Sequence, residues 1–435
     1  MIKVLRLPMY RRLLGAYALN ELAFSVGILA LSVLVYRRTG SALGSAAFFL
    51  CSQVIPALPA PFVVSRLDQR PPRRVLPTLY MAEAVLFALL AWMATRFALA
   101  PVLALALLDG IFAVASRALA RTATVDVLSG PGLLHEGNAV TNGAFSVCFM
   151  GGPAIGGAVV AAGGTVAALL ANCGLFAAIA VMLAVTALPG AAQADVTTGG
   201  RLRAGLDHVA RSAPLRTLLS LQAFGLVFFT ISVPVEVVFA QHSLHVGAAG
   251  YGALVSAWGV GAVVGSVAYA RWRRASARAL IAASSAALGI GFAVMAAAPS
   301  IEVAAVGAAF GGMANGIEIV AVRTAVQERT PESWMALVMS LNEAVAQAVP
   351  GVGIVLGGTI TALTGPRVAF AVAAAGSLVF TFAAWLALAP SRFPPVQTAG
   401  EDVATEYVGD GPITDVAAPR IHSDRAPAAP HQSTA

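Results

Sequence analysis

Three carboxyl side chains interrupt long apolar stretches of the sequence and are the strongest candidates for chemistry. Glu21 follows Asn20 in the first stretch, and Asp109 lies in the middle of a later one. Glu318 follows Asn315 by about one helical turn in another. An ionisable group inside a bilayer is costly, so one that occurs there usually faces a cavity or a partner. A low-dielectric environment also raises the pKa of a carboxyl group, which allows proton uptake and release near neutral pH. Glu21, Asp109 and Glu318 are therefore predicted proton-coupling residues.

The same carboxyl groups have a second interpretation, which the sequence leaves open. Each can instead be held by an arginine or a backbone amide and so stabilise one conformation. Arg117 follows Asp109 by eight residues on the same helical face, about 12 Å away at 1.5 Å per residue, which is too far for direct contact. Arg117 is therefore predicted to pair with another group or with an anionic substrate, or to reach lipid phosphate.

Polar and aromatic residues in the apolar stretches are candidates for lining a substrate cavity. Phe224, Phe228 and Phe229, together with Gln222 and Trp258, can form the aromatic wall that large apolar substrates need. Aromatic residues at helical spacing are also ordinary packing residues in membrane helices, and that alternative stays open. The predicted cavity residues are Asn20, Arg117, Gln222, Phe224, Phe228, Asn315 and Asn342.

Several other kinds of site are excluded by missing motifs. Lys3 is the single lysine, so a GxxxxGK[ST] phosphate loop, and ATP binding through it, cannot be present. The three cysteines form no CxxC pair, and no HExxH motif or histidine cluster occurs. No cofactor, no metal site and no enzyme activity are expected. Nucleic acid is an unlikely partner because the basic residues are divided among the apolar stretches.

The composition shows which elements must position these residues. Of 435 residues, 58% are hydrophobic and 11% are charged, with a net charge of +7 and a mean hydropathy of +0.82. A soluble domain carries about 25% charged residues, so a soluble globular protein is excluded. Runs long enough to cross a bilayer as helices predict twelve spans. They lie near 13–36, 42–65, 75–95, 98–118, 138–162, 165–188, 215–240, 250–270, 279–298, 301–323, 336–362 and 367–389.

The distribution of basic residues predicts the orientation. With both termini inside, 23 of the 27 Lys and Arg residues fall on the cytoplasmic side, and only Arg37, Arg38, Arg96 and Arg367 fall outside. Because basic loops stay in the cytoplasm, we expect a multi-pass protein of the cell inner (plasma) membrane with both termini cytoplasmic. The first run is too long for a signal-peptide core and is expected to remain as a helix.

The longest polar segment between the spans divides them six and six. We predict an N-terminal six-helix half at 1–188, a cytoplasmic amphipathic linker at 189–214 and a C-terminal six-helix half at 215–390. The halves correspond at an offset of 205 residues, for example Arg66 with Arg271 and Gly152 with Gly357, as a parallel repeat requires. The Pro-, Ala- and acid-containing residues 391–435 are predicted to be a disordered cytoplasmic tail.

Two segments resemble motifs of the major facilitator superfamily, within it the branch of enterobactin exporters and macrolide efflux pumps. The loop after the second span, from Ser65 to Arg74, is similar to the superfamily's loop of an aspartate and several arginines. The segment from Gly152 to Gly157 is similar to the GPxxGG element of exporters. The resemblance covers about residues 10–389. Its matching residues are Asp68, Arg70, Arg73 and Arg74 in the loop and Gly152, Pro153, Gly156 and Gly157 in the fifth span.

The resemblance implies an all-α fold of two pseudo-symmetric six-helix bundles that rock around a cavity lined mainly by the first, fourth, seventh and tenth spans. The four loop residues are then a candidate conformational latch, and the GPxxGG residues a helix-packing motif. Glu83 lies in the third span, which is peripheral in such a fold, so a structural role is favoured for it.

Together these patterns predict a secondary active transporter of alternating access. The expected function is proton-coupled efflux, by antiport, of a small amphipathic organic molecule such as a drug, an antibiotic or a siderophore-like metabolite. Its expected partners are that molecule, protons and the lipid bilayer, and it is expected to work as a monomer. Two alternatives stay open: a proton-coupled uptake symporter or facilitator for a nutrient, and a non-transporting membrane scaffold or enzyme.

Overall fold

The computed structural model describes residues 3–67, 70–186, 209–272 and 275–389, which are almost entirely helical. Ten helices in this part of the chain are long and apolar enough to cross a membrane. We number the spans in the order of the twelve predicted passes. The uninterrupted spans are span 1 (Pro8–Thr39), span 3 (Pro72–Thr95), span 4 (Leu99–Ser129), span 7 (Ala213–Val238), span 8 (Gly247–Trp272), span 9 (Ala277–Ala297), span 10 (Ile301–Glu328) and span 12 (Pro366–Ala387).

The remaining passes are joined or broken. Spans 5 and 6 count as one long helix, span 11 counts as one despite its break, and span 2 is not counted, so ten long helices correspond to twelve predicted spans. Spans 5 and 6 form one helical stretch, Leu134–Ala184, which reverses at Gly164, where φ is +76°. Span 2 consists of Ala42–Phe49, a π turn, a 3₁₀ turn and Ala60–Leu67, pieces too short to count singly. Its prolines interrupt the backbone hydrogen-bond ladder. Span 11 is divided at Pro350 into Glu332–Ala348 and Pro350–Thr364.

Several predicted features fall outside the described residues. The tail at 391–435 lies wholly outside them, and so does Asp68 of the predicted latch. Of the predicted linker, only residues 209–214 are described, and span 7 begins within them at Ala213.

Successive spans cross in opposite directions, so the bundle has two distinct ends. We call the end where span 1 begins the basic end, because the described arginines concentrate there. The opposite end carries Arg37, Arg38, Arg96 and Arg367, the four residues predicted to lie outside.

The buried side chains divide into a core in spans 1–6 and separate cores in spans 7–12. The buried core of spans 1–6 also includes six residues of the other half. Five of them lie near the opposite end, and Ile354 lies between that end and the middle of the bundle. These residues are Val237, Val238, Ala240, Ala248, Tyr251 and Ile354. The two halves are therefore packed together toward the opposite end and separate toward the basic end.

Spans 8 and 10 approach each other through glycines. A Cβ atom added at Gly261 would overlap the carbonyl oxygen of Ala309, and one at Gly312 would overlap that of Trp258. Gly316 meets the backbone of Ala262 in the same way. Because the obstacle is backbone rather than a flexible side chain, only glycine permits this spacing.

We expect Gly261→Ala to lower the melting temperature of the purified protein in detergent. The added methyl group must push two backbones apart, and overpacking of this kind costs about 1–3 kcal/mol. The control is Gly174→Ala in span 6, where an added Cβ meets nothing within 4 Å. That variant should melt at the wild-type temperature or slightly above it, because alanine favours helix. Equal melting temperatures for the two variants would contradict the packing described here.

Candidate functional site

Two cavities lie in the part of the bundle near the basic end, one in each half. The N-half cavity has a volume of about 450 Å³ and is lined by spans 1, 4 and 5 and by Gln347 of span 11. The C-half cavity has a volume of about 270 Å³ and is lined by spans 7, 9, 10 and 11. Ala346 lines the C-half cavity, so the two cavities meet at adjacent residues of span 11. They form the two sides of one cleft between the halves.

Arg117 is the central cation of the N-half cavity. Its Nε donates a hydrogen bond to the carbonyl oxygen of Ala113 at 3.1 Å, and its guanidinium carbon lies 5.0 Å from the centre of the Phe24 ring. Glu21 lines the same cavity and interacts electrostatically with Arg117. Within the described part of the chain, no ion pair shorter than 4.0 Å forms between them. The guanidinium is thus anchored at one nitrogen and can still reach a partner with the others.

A small third cavity lies on the other side of Arg117. It has a volume of about 30 Å³, room for one or two water molecules, and is lined by Asn20, Ser52, Asp109 and Arg117 among others. Oδ1 of Asp109 is buried and has no hydrogen-bond partner among the described residues. Arg117 therefore lies between Glu21 on its open side and Asp109 on its enclosed side.

Glu83 adds a third carboxyl group to this cluster. It is fully buried, and Ser116 donates a hydrogen bond to its Oε1 at 2.8 Å. Its Oε2 has no partner in the described structure. The nearby charges that act on Glu83 are those of Asp109 and Arg117. Glu83 therefore belongs to the polar cluster behind the cavity, although its span was expected to lie at the periphery of the fold.

The cluster is unbalanced in charge. Glu21, Glu83 and Asp109 are three carboxyl groups that all feel the charge of one guanidinium, that of Arg117. Arg121 also lines the N-half cavity, but its side chain is exposed at the basic end. In a low-dielectric site, carboxylates without compensating charge are costly, so the charge balance of this cluster is its distinguishing feature.

The C-half cavity brings together four polar residues predicted from sequence. Gln222 of span 7, Asn315 and Glu318 of span 10 and Asn342 of span 11 all line it. Oxygens of Gln222, Glu318 and Asn342 are buried without a hydrogen-bond partner among the described residues. No group of three His, Cys, Asp or Glu side chains suited to a metal ion occurs in the described ranges.

The predicted aromatic wall is placed differently in the structure. Gln222, Gly225, Leu226 and Phe229 line the cavity, at the 3- and 4-residue spacing of one helical face. Phe224 and Phe228 lie on another face of span 7. There they pack against each other, with ring centres 5.1 Å apart, and Phe224 also packs against Phe380. Of the three phenylalanines of the predicted wall, Phe229 lines this cavity, whereas Phe224 and Phe228 pack elsewhere.

The predicted helix-packing motif lies between span 1 and span 8. Gly152 and Gly156 face Ser25 and Val26 of span 1. A Cβ atom on Gly157 would lie 2.7 Å from the carbonyl oxygen of Ala248 in span 8. The motif therefore connects the two halves. Of the predicted latch, the described residues Arg70, Arg73 and Arg74 have exposed side chains.

Sequence reasoning missed several residues that complete the site. Arg121 follows Arg117 by one turn, and Phe24 follows Glu21 by three residues, so helical spacing was a usable signal for both. The hydrogen bond from Ser116 to Glu83 joins residues 33 positions apart, and no local pattern indicates it.

Comparison with known proteins is consistent with this geometry. The family model of the Major Facilitator Superfamily matches residues 217–428. The crystal structure of the nucleoside transporter NupG has a TM-score of 0.65 and 13% identity, covering 88% of this chain and 100% of that one. A bacterial homologue of the iron transporter ferroportin, in an inward-facing state, has a TM-score of 0.69 and 13% identity, with coverages of 86% and 97%. The human organic anion transporter MFSD10 has a TM-score of 0.58 and 20% identity, with coverages of 87% and 100%. No curated protein sequence matches.

Apolar spans arranged in two halves around a cleft define a polytopic, all-α membrane protein. Its fold is that of the Major Facilitator Superfamily, and the C-terminal half carries the sequence match to that superfamily.

We expect Ser116→Ala to destabilise the protein. The substitution removes the donor to Glu83 and leaves a fully buried carboxyl group without a partner, which costs about 1–3 kcal/mol. Ser146→Ala is the matched control, because that exposed hydroxyl bonds only to the carbonyl of Asn142 in its own helix. The comparison is made by thermal unfolding in detergent. Equal losses in the two variants would show that the bond to Glu83 contributes nothing.

Proposed function

We propose that the protein is a secondary active transporter that exports a small amphipathic organic molecule in exchange for protons. The observation that carries the proposal is the cluster of Glu21, Glu83 and Asp109 around the one guanidinium of Arg117. Such a cluster is electrically neutral only when some of its carboxyl groups carry protons. The number of protons it binds therefore changes whenever Arg117 changes partner. That is the property a proton-coupled transporter requires.

The positions of the carboxyl groups suggest how the coupling operates. Glu21 faces the open N-half cavity, while Asp109 lies behind Arg117 in the small enclosed cavity. When Glu21 is ionised it attracts the guanidinium, and Asp109 then favours its protonated form. When Glu21 takes up a proton, or when an anionic group of the substrate occupies Arg117, the balance changes. Glu318 is the corresponding carboxyl group of the C-half cavity and a further coupling candidate.

The proposed alternating access is supported by the weak contacts that close the opposite end. Nε of Arg37 in span 1 donates a hydrogen bond to Oε1 of Gln241 after span 7, at 2.9 Å. The backbone N–H of Ala154 donates to Oγ of Ser256 at 2.8 Å. Each such bond contributes about 1 kcal/mol net, so a few of them can break together as the halves rock.

The proposed topology places both termini and the basic end in the cytoplasm of a cell whose inner membrane holds the protein. The conformation described here is then open to the cytoplasm. The proposal includes the division into halves at 1–188 and 215–390, with a linker at 189–214 and a tail at 391–435. Export is favoured by the similarity of residues 152–157 to the exporter element.

The proposal is tested by proton flux in everted membrane vesicles. The vesicles are energised to an acid interior, and antibiotics, dyes and siderophores are added in turn. An exported substrate should trigger proton release, seen as interior alkalinisation. Glu21→Gln and Asp109→Asn should each abolish that response, because neither amide can carry the proton.

The control variant is Glu302→Gln. Glu302 is a carboxylate at the opposite end of span 10, where span 10 begins. This variant should respond like wild type. If the wild type, correctly inserted and normally expressed, shows no response to any compound, proton-coupled efflux is contradicted. Substrate accumulation driven by the proton gradient in right-side-out vesicles would instead identify an uptake symporter.

A further inference from the structure

The C-half cavity contains more buried acceptor atoms than donors, although the hydroxyl of Ser285 lies close enough to interact with Glu318. Oε1 of Gln222, Oε2 of Glu318 and Oδ1 of Asn342 come from three different spans, and each is buried without a hydrogen-bond partner in the described part of the chain. Asn342 is only 8% exposed, yet its side chain lines the cavity. A buried acceptor left without a donor is destabilising. Three around one cavity indicate that a ligand supplies the missing donors.

The charged residues of the cavity indicate what kind of hydrogen-bond donor the ligand carries. Glu318 is its buried carboxyl group, and Arg323 lines the cavity with an exposed side chain. No ion pair shorter than 4.0 Å joins Glu318 to Arg323, both of which are described. Glu343 adds a second carboxylate at the exposed rim. A ligand group with both N–H donors and a positive charge would satisfy the oxygens and neutralise Glu318.

The size of the cavity favours an organic cation over a metal ion as its ligand. A volume of about 270 Å³ far exceeds what a single dehydrated ion fills. Its other walls are apolar and include Leu226, Leu288 and the ring of Phe229. An aromatic face attracts an organic cation and also accepts apolar surface. Carboxyl and amide groups rotate easily about their last bond, so their oxygens can turn toward an occupant.

We infer that the C-half cavity recognises a protonated amine attached to an apolar body. The transported compounds are therefore amphipathic organic amines, whose ammonium group meets Glu318, Gln222 and Asn342. This inference rests on the proposed transport function and adds a substrate class to it. The N-half cavity, with Arg117 and Arg121, offers the complementary place for an anionic or acceptor group of the same molecule.

The test is ligand binding by the purified full-length protein in detergent at neutral pH, measured by calorimetry. The probes are phenethylamine, which is protonated there, its neutral analogue phenethyl alcohol, and the anion phenylacetate. We expect the amine to bind about tenfold or more tightly than the alcohol or the anion. Glu318→Gln should remove that preference while leaving the affinity for the alcohol unchanged. Asn342→Leu should also weaken amine binding.

The matched control is again Glu302→Gln, the same change at the far end of the same helix, which should bind the amine like wild type. Glu21→Gln should also keep amine binding while losing proton release, so failure of the inference and failure of the proposed function are distinguishable. Equal affinity for amine and alcohol in the wild type, or undiminished amine preference in Glu318→Gln, would overturn the inference. So would stabilisation by sodium chloride relative to potassium chloride without amine binding, because the oxygens would then form a sodium site.

Discussion

The attraction between one guanidinium and three carboxyl groups is the interaction on which the rest of the structure depends. Arg117 lies between Glu21 in the open cavity and Asp109 in an enclosed one, with Glu83 behind them. In water this arrangement would have little consequence, because solvent would screen every charge. Inside the bundle solvent screens these charges much less, so the charge of the three carboxyl groups and the position of Arg117 depend on each other.

The helices around this cluster are held close together by glycine. Within the C-terminal half, spans 8 and 10 are in backbone contact through Gly261 and Gly312. Between the halves, spans 5 and 8 are in backbone contact as well, because a Cβ atom on Gly252 would overlap the carbonyl oxygen of Pro153, and one on Gly157 would lie 2.7 Å from that of Ala248. Glycine therefore permits close backbone packing both within a half and across the interface between the halves.

Much of the fold could be predicted from sequence, because apolar runs and turn residues report directly on spans in a bilayer. The reversal at Gly164 falls between the fifth and sixth predicted spans. The break at Pro350 could not be predicted equally well, because this proline lies inside an apolar run, and whether a helix ends there depends on its neighbours. For the site, helical periodicity brought Gln222, Asn315, Glu318 and Asn342 to one cavity. It did not separate Phe229, which lines that cavity, from Phe224 and Phe228, which do not, because each step of one residue turns a side chain by about 100°.

The contacts that close the opposite end are of one chemical kind, and that kind determines how they respond to dissolved salt. Arg37 meets the neutral amide of Gln241, Ala154 meets the hydroxyl of Ser256, and Tyr251 meets the hydroxyl of Ser32, among glycine and apolar side chains. None of these described contacts is a pair of opposite charges. Dissolved salt screens attractions between full charges far more than it affects such contacts. The strength with which the opposite end is held closed should therefore be nearly independent of ionic strength.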